Sequence, residues 1–249
     1  MTKIYNKLLD FLKKENCKID KEVEFFADQL SEIVQLKEDD KRIDGILKWL
    51  EEKRKNYNVK AKEVGINELE NWEVDPKSGN IYHKSREFFS VVGIKVTGAD
   101  DREVSSWTQP MIKQKGCGIL GILSKKIDGV RHYLLQAKYE PGNTGKLQLS
   151  PTLQATESNL LRVHKGKKPL FAEYFKEEGK GKVLVSVESI EDGGRFYLKT
   201  NTNMIVEIEP GEEIKIPDSF IWLNICQLKR LLKEDCVINS LTRNILGSI

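Results

Sequence analysis

Through the first sixty residues, apolar positions recur at helical spacing. Ile4, Leu8, Phe11 and Leu12 fall on one face, as do Val23, Phe26, Leu30 and Ile33, and then Ile43, Ile46, Leu47 and Leu50. Asp39 and Asp40 suit the start of the third helix, and Lys53, Arg54 and Lys55 suit its end. The stripes are narrow and the helices heavily charged, so they cannot enclose a large core by themselves. They are expected to pack on the domain that follows or on a second subunit. Residues 1–65 are therefore read as a helical segment and 66–249 as the main domain.

From Trp72 the pattern shortens to that of strands. Asp75-Pro76-Lys77-Ser78-Gly79 is a turn between two short strands. Residues 88–96 are apolar and β-branched, which predicts a buried strand. Residues 119–123 and 130–137 flank Asp128-Gly129, a two-residue hairpin signal. Residues 182–188 and 195–208 read as a second hairpin around Asp192-Gly193-Gly194. Residues 156–164 suit a short helix. Asn224 is placed to cap a helix through Lys233 that buries Leu228, Leu231 and Leu232. The order of elements predicts an α+β fold of mostly antiparallel strands with flanking helices.

The run 136–164, QAKYEPGNTGKLQLSPTLQATESNLLRVH, breaks this simple picture. It is rich in amides and hydroxyls yet lies among apolar strands. In an extended chain Leu134, Gln136, Lys138 and Glu140 share a face. A base, an acid and an amide on one face make a candidate polar site; a solvated sheet face ending in a Pro-Gly turn is the rival reading.

Composition narrows the function classes. The chain has 249 residues, of which 39% are hydrophobic, enough for a core, and 32% are charged. A net charge of +3 and a pI near 8.5 are too mild to imply nucleic acid. Cys17, Cys117, Cys226 and Cys236 form no CxxC pair, which argues against structural zinc and disulfides and for a reducing compartment. No signal peptide is legible, and no apolar run reaches the roughly 20 residues of a membrane span. A soluble cytoplasmic protein is expected.

Three motifs compete with blander readings. Gly116-Cys117-Gly118-Ile119-Leu120-Gly121 spells GxGxxG, but a hairpin follows where a dinucleotide site needs a helix. The glycines instead suit close strand packing or a bulge. Arg195, Tyr197, Lys199, Asn201 and Asn203 alternate with a largely apolar face. Arg195 and Lys199 are candidates to hold a diphosphate, against a solvent-facing edge as the alternative. Trp107, beside Gln109, is either a base-stacking surface or a core anchor.

The segments QAKYEPGN (136–143), QLSPTLQATESN (148–159) and RVHKG (162–166) together resemble the NDP-hexose 2,3-dehydratase family. HKSREFFSVVGIKV (83–96), WTQPMIKQ (107–114), GILGIL (118–123), RFYLKTNTNMIVE (195–207) and FIWLNICQLKRLLKED (220–235) extend the resemblance in order over residues 70–249. The resemblance implies a Nudix-like mixed or antiparallel sheet domain. Laid on Gly142, the Nudix signature puts Gln148 at its first Glu, Thr156-Glu157 on its Arg-Glu pair and Leu160-Leu161 on its Glu-Glu pair; Glu157 alone is insufficient for magnesium, so no metal is expected.

The resemblance further implies loss of the C2 hydroxyl from an NDP-4-keto-6-deoxyhexose, with dTDP-4-keto-6-deoxy-D-glucose the expected substrate. The product is the 3,4-diketo-2,6-dideoxy sugar, formed through an enol without a redox cofactor. Glu140, Lys138 and His83 are the expected catalytic groups. Arg86, Trp107, Gln109, Gln136, Asn143, Gln148, Ser150, Gln154, Asn159, His164, Arg195, Lys199 and Asn203 are expected to contact the sugar nucleotide. An inactive sugar-nucleotide-binding subunit and a Nudix-type pyrophosphohydrolase are the alternatives. Family members usually hold two tandem copies of the unit and this sequence holds one, which implies a homodimer.

Overall fold

The structure is a computed structural model that describes residues 3–36, 40–156, 169–176 and 179–249. Three helices come first: α1 (Lys3–Lys14), α2 (Lys21–Gln35) and α3 (Asp40–Asn56). Asp20 caps α2 by accepting from the Val23 N–H. Ile43, Ile46 and Leu50 of α3 are buried in the same apolar cluster as the large sheet, so this helix is part of the main core.

The face that α2 buries is not its apolar stripe. Phe25, Gln29 and Glu32 are buried, whereas Phe26 and Leu30 stay 42% and 48% exposed. The cause lies on the strand opposite. Arg131 is only 4% exposed and needs counter-charges. Asp28 takes its Nη2 at 2.7 Å, Glu207 takes its Nη1, and Glu32 accepts the Arg131 backbone N–H at 2.8 Å. Gln29 donates to the Tyr133 hydroxyl at 2.7 Å. Polar matching outweighs the apolar stripe here.

A four-stranded antiparallel sheet follows in sequence order: β1 (Trp72–Val74), β2 (Ile81–His83), β3 (Ser90–Thr97) and β4 (Ser106–Lys113). The β1–β2 turn is tied by Asp75, whose Oδ1 accepts from Lys77, Ser78 N–H and Ser78 Oγ. Strand β3 was expected to be buried. Instead, it alternates between half-buried and exposed positions, because the small sheet keeps one face toward solvent.

The larger sheet contains β5 (Gly118–Ile127), β6 (Val130–Tyr139), β7 (Leu147–Ser150), β8 (Leu153–Ala155), β9 (Lys182–Ile190), β10 (Thr200–Glu207) and β11 (Phe220–Asn224). The order β11-β6-β5-β10-β9 forms its main path. All pairings are antiparallel except β5 with β10. Helices α4 (Ile225–Leu231) and α5 (Ser240–Leu246) close the chain. As expected, Asn224 caps α4 and Leu228 and Leu231 are fully buried, but the helix ends at Leu231 rather than Lys233 and Leu232 is only partly buried.

The β5–β6 hairpin turns at Asp128 and Gly129, both at positive φ as a primed two-residue turn requires. It is laced together only as far as Leu123 and Leu134. Beyond that point the two strands part, and the β7–β8 hairpin fills the gap. Gln136–Tyr139 of β6 pair with Leu147–Ser150 of β7, and Ile119–Gly121 of β5 pair with Leu153–Ala155 of β8. Thr152 sits at the fork. Its hydroxyl accepts from Leu123 N–H at 2.9 Å and donates to Leu134 O, so one side chain satisfies both freed backbone groups.

Gly118 and Gly121 of the GxGxxG run lie on β5, and Gly116 takes positive φ in the connection before it, so the run is not a strand-to-helix nucleotide-binding turn. Gly121 leaves room for the Phe175 ring, and a Cβ at Gly118 would come within 2.5 Å of Asn201 Oδ1. Both support close packing around β5.

Candidate active site

Where β6 ends beside the starts of β5 and β10, the sheet carries a cleft of about 230 Å³. Lys138, Gln154, Glu191, Phe196, Lys199 and Asn201 line it. Lys138 comes from β6 and Gln154 from β8, brought together because β7 and β8 occupy the fork. Glu191 follows β9, and Asn201 stands at the start of β10.

The polar groups form a connected set. Lys138 Nζ donates to Gln154 Oε1 at 2.6 Å and lies 3.6 Å from Glu140 Oε1. Gln154 Nε2 donates to Glu140 Oε1 at 2.9 Å. Asn239, the N-cap of α5, donates through Nδ2 to Glu140 Oε2 at 3.2 Å. Both oxygens of Glu140 are thus held by amides. Burial pushes the Lys138 ammonium below its ordinary range, and Glu140 pulls part of the way back.

On the far wall, Lys199 is 4% exposed and donates to Gly116 O at 2.7 Å. Asn201 donates through Nδ2 to Glu191 Oε2. Burial pushes the Glu191 carboxyl up, while Lys199 and Asn201 pull it down in part. The cleft can therefore present the Glu191 carboxyl, two ammonium groups and two amides to a small polar ligand, with Glu140 beside the lining, bonded to Gln154 and 3.6 Å from Lys138.

The structure brings together Glu140, Lys138, Gln148 and Gln154 of the expected residues, and puts Lys199 across the cleft from them. Asn143 braces the loop after β6 by donating weakly to Lys138 O and Lys146 O at 3.4 Å. Gln136 and Ser150 face each other across β6 and β7, with Ser150 fully buried. Asn203 lies deeper along β10, 1% exposed, and donates to Ser189 Oγ at 2.8 Å.

Other expected residues lie outside the cleft. His83 bonds Ser85 Oγ at 2.8 Å and packs edge-on against Trp72 and Phe88 in the small sheet. Arg86, at positive φ, stacks on Tyr82. Trp107 donates to Gln109 at 2.7 Å, and Gln109 donates to Gly194 O at 2.8 Å. Asn159 and His164, with the expected helix over 156–164, fall outside the described residues save for Thr156. Residues 195–199 do not continue the strand to alternate with Asn201. Phe196 bridges to Ile112 and Leu198 takes positive φ, which breaks the two-residue period before Thr200. Arg195 is consequently exposed and paired with Asp192, away from Lys199's cleft wall.

Sequence reasoning missed Glu191, Asn239 and Gln114. Glu191 reads as one more charge before a turn, and only the β9–β10 pairing turns it inward. Asn239, followed by Ser240 and Leu241, carries a cap signal that was available. Among the described residues, no three His, Cys, Asp or Glu side chains stand together as a metal site would require.

A curated dTDP-4-dehydro-6-deoxy-alpha-D-glucopyranose 2,3-dehydratase of Saccharopolyspora spinosa is 41% identical over 201 residues, covering 81% of this chain and 41% of that protein. The enzyme of the same name from Amycolatopsis orientalis is 38% identical over 212 residues, covering 84% and 45%. That of Streptomyces violaceoruber is 37% identical over 206, covering 82% and 46%. The chain thus spans less than half the length of these relatives. A Nudix hydrolase from M. Smegmatis, RenU, aligns over 63% of this chain and 96% of its own at 15% identity and a TM-score of 0.34, a likeness that decides nothing. The NDP-hexose 2,3-dehydratase family description matches residues 43–249, from α3 to the last residue, and so takes in the fork, the cleft and the cap that holds Glu140. The chain belongs to that family.

Proposed function

We propose that this chain is a sugar-nucleotide 2,3-dehydratase acting on dTDP-4-keto-6-deoxy-D-glucose, the substrate named for its relatives. The observation that carries the reading is Glu140, held on both oxygens by Gln154 and Asn239 beside the depressed ammonium of Lys138. The 4-keto group acidifies the C3 proton. Glu140 is the group best placed to take it, and Lys138 the group best placed to steady the negative charge that develops on the ketone oxygen. Lys199 offers a cation for the diphosphate. No step requires a redox cofactor or a metal.

The scaffold is read as Nudix-like, with residues 1–65 as a helical segment whose third helix packs into the core of the domain that follows. Phe26, Leu30 and Val34 along α2, with Phe11 of α1, leave an exposed apolar stripe that supports pairing into a homodimer. Four free cysteines fit a reducing, cytoplasmic setting. Among the described residues no helix is long and apolar enough to cross a membrane.

The test is incubation with dTDP-4-keto-6-deoxy-D-glucose and trapping of the product by a 3-ketoreductase. The expected result is the reduced 2,6-dideoxy sugar nucleotide. Binding without turnover would mark a binding subunit, and release of a nucleoside monophosphate would mark a hydrolase.

A further inference from the structure

Two carboxyl groups stand at the cleft in unlike settings, Glu191 in its lining and Glu140 beside it against Gln154 and Lys138, and Glu191 has no task yet. Glu140 is held by amide donors and an ammonium. Glu191 stands across the cleft, its backbone N–H tied to Lys199 O at 2.8 Å and its Oε2 taken by Asn201. Among the described residues no hydrogen bond is made to Oε1, which is therefore free to carry a proton. The charged groups acting on Glu191 are Lys199, Asp192 and Glu140.

We propose that Glu191 is the acid that protonates the departing C2 hydroxyl while Glu140 is the base at C3, a division of labour that rests on the dehydratase reading. Burial favours the protonated form of Glu191, in keeping with that role. The steps balance. Glu140 takes the C3 proton, and the C3–H electron pair forms the C3–C4 double bond as the ketone oxygen becomes an enolate. The enolate then collapses: C4=O reforms, a C2–C3 double bond forms, and the C2–O bond breaks with its pair. Glu191 gives its proton to that oxygen, which leaves as water. The remaining C3 enol loses its hydroxyl proton to the Glu191 carboxylate, and Glu140 returns its proton to C2. Both residues are reset and nothing is oxidised or reduced overall.

The experiment separates the two carboxyl groups in heavy water. Glu140→Gln should lose both elimination and exchange of the C3 hydrogen. Glu191→Gln should lose elimination by about 10²-fold or more yet still exchange C3–H for deuterium. The 2-deoxy-2-fluoro analogue of the substrate, whose fluoride leaves without a proton, should restore elimination in Glu191→Gln to within about 10-fold of the wild-type rate, which also shows that the variant is folded. If Glu191→Gln turns over the natural substrate like wild type, or fails equally with the fluoro analogue, the assignment is overturned. If the wild-type chain itself neither exchanges nor eliminates, it is the dehydratase reading that falls.

Discussion

Asn239 donates to Glu140 Oε2 across 3.2 Å while its own Oδ1 accepts the Leu241 N–H that opens α5. One side chain thus caps the last helix and sets the carboxylate. Aspartate caps as well as asparagine, but it would put a second negative charge against Glu140. Asn239→Asp is expected to leave the melting temperature nearly unchanged and to cut kcat by about 10-fold or more. Thermal melts beside steady-state kinetics check this. A fall in stability with kcat unchanged would assign Asn239 to the fold alone.

Glu140→Gln and Lys138→Met are each expected to lower kcat by about 10²-fold with little change in substrate affinity. Because burial depresses Lys138, its ammonium is lost as pH rises through a value below the ordinary lysine range. Turnover should fall there, and Lys138→Arg, which keeps its charge, should move that limb to higher pH. Steady-state kinetics across the alkaline range decide it.

Two glycines on β5 should fail in different ways. Gly121→Ala drives a methyl group into the buried Phe175 ring and is expected to cost about 1–3 kcal/mol of stability. Gly118→Ala displaces Asn201 and, through it, Glu191. It should cost about 10-fold or more in turnover with a smaller effect on melting. Equal effects on both readouts would argue against the link from Gly118 to the cleft.

The buried charges under α2 make stability depend on pH in two opposite senses. Burial works against the Asp28 carboxylate, but Lys126 and Arg131 outweigh it and hold it below the ordinary range. Its contribution is present above the unfolded-state pKa and lost as pH falls through the folded one. Asp28→Asn should cost about 3 kcal/mol at neutral pH, with the difference closing in acid. Burial pushes Glu32 up from 4.5, so its effect runs the other way: stability declines as pH rises from that value through the folded pKa. Glu32→Gln should remove that decline. Urea melts over a pH series resolve both.

Turnover is expected to survive exhaustive chelation. Glu191 in the cleft and Glu140 beside it are each engaged by amide donors rather than set in an octahedral array of oxygens. Activity that disappears on chelation and returns with magnesium would overturn this.

Local signals were readable. The Asp128-Gly129 turn, the Asp75 turn and the Asn224 cap all depend on neighbours in sequence, and the structure has them where the residues imply. What was not legible depends on distant partners. Nothing local announces that β10 runs parallel to β5, or that Arg131 on β6 draws the polar face of α2 inward. The strand expected from Arg195 begins at Thr200 because Phe196 bridges to Ile112, a contact across eighty-odd residues. The site was half legible for the same reason. Lys138 and Glu140 are close in sequence and were found together, whereas Glu191 and Asn239 reach the cleft only through pairing and packing.

The fork at Thr152 makes the large sheet a clothespin. Its closed end is the Asp128-Gly129 turn, its spring is a single hydroxyl gripping Leu123 and Leu134, and its jaws are the strand ends that carry Lys138 and Gly118. The gape between those jaws is set by β7 and β8 paired into it, with Thr152 at the apex. A change at that apex is expected to shift the strand ends that frame the cleft while the side chains lining it stay as they are.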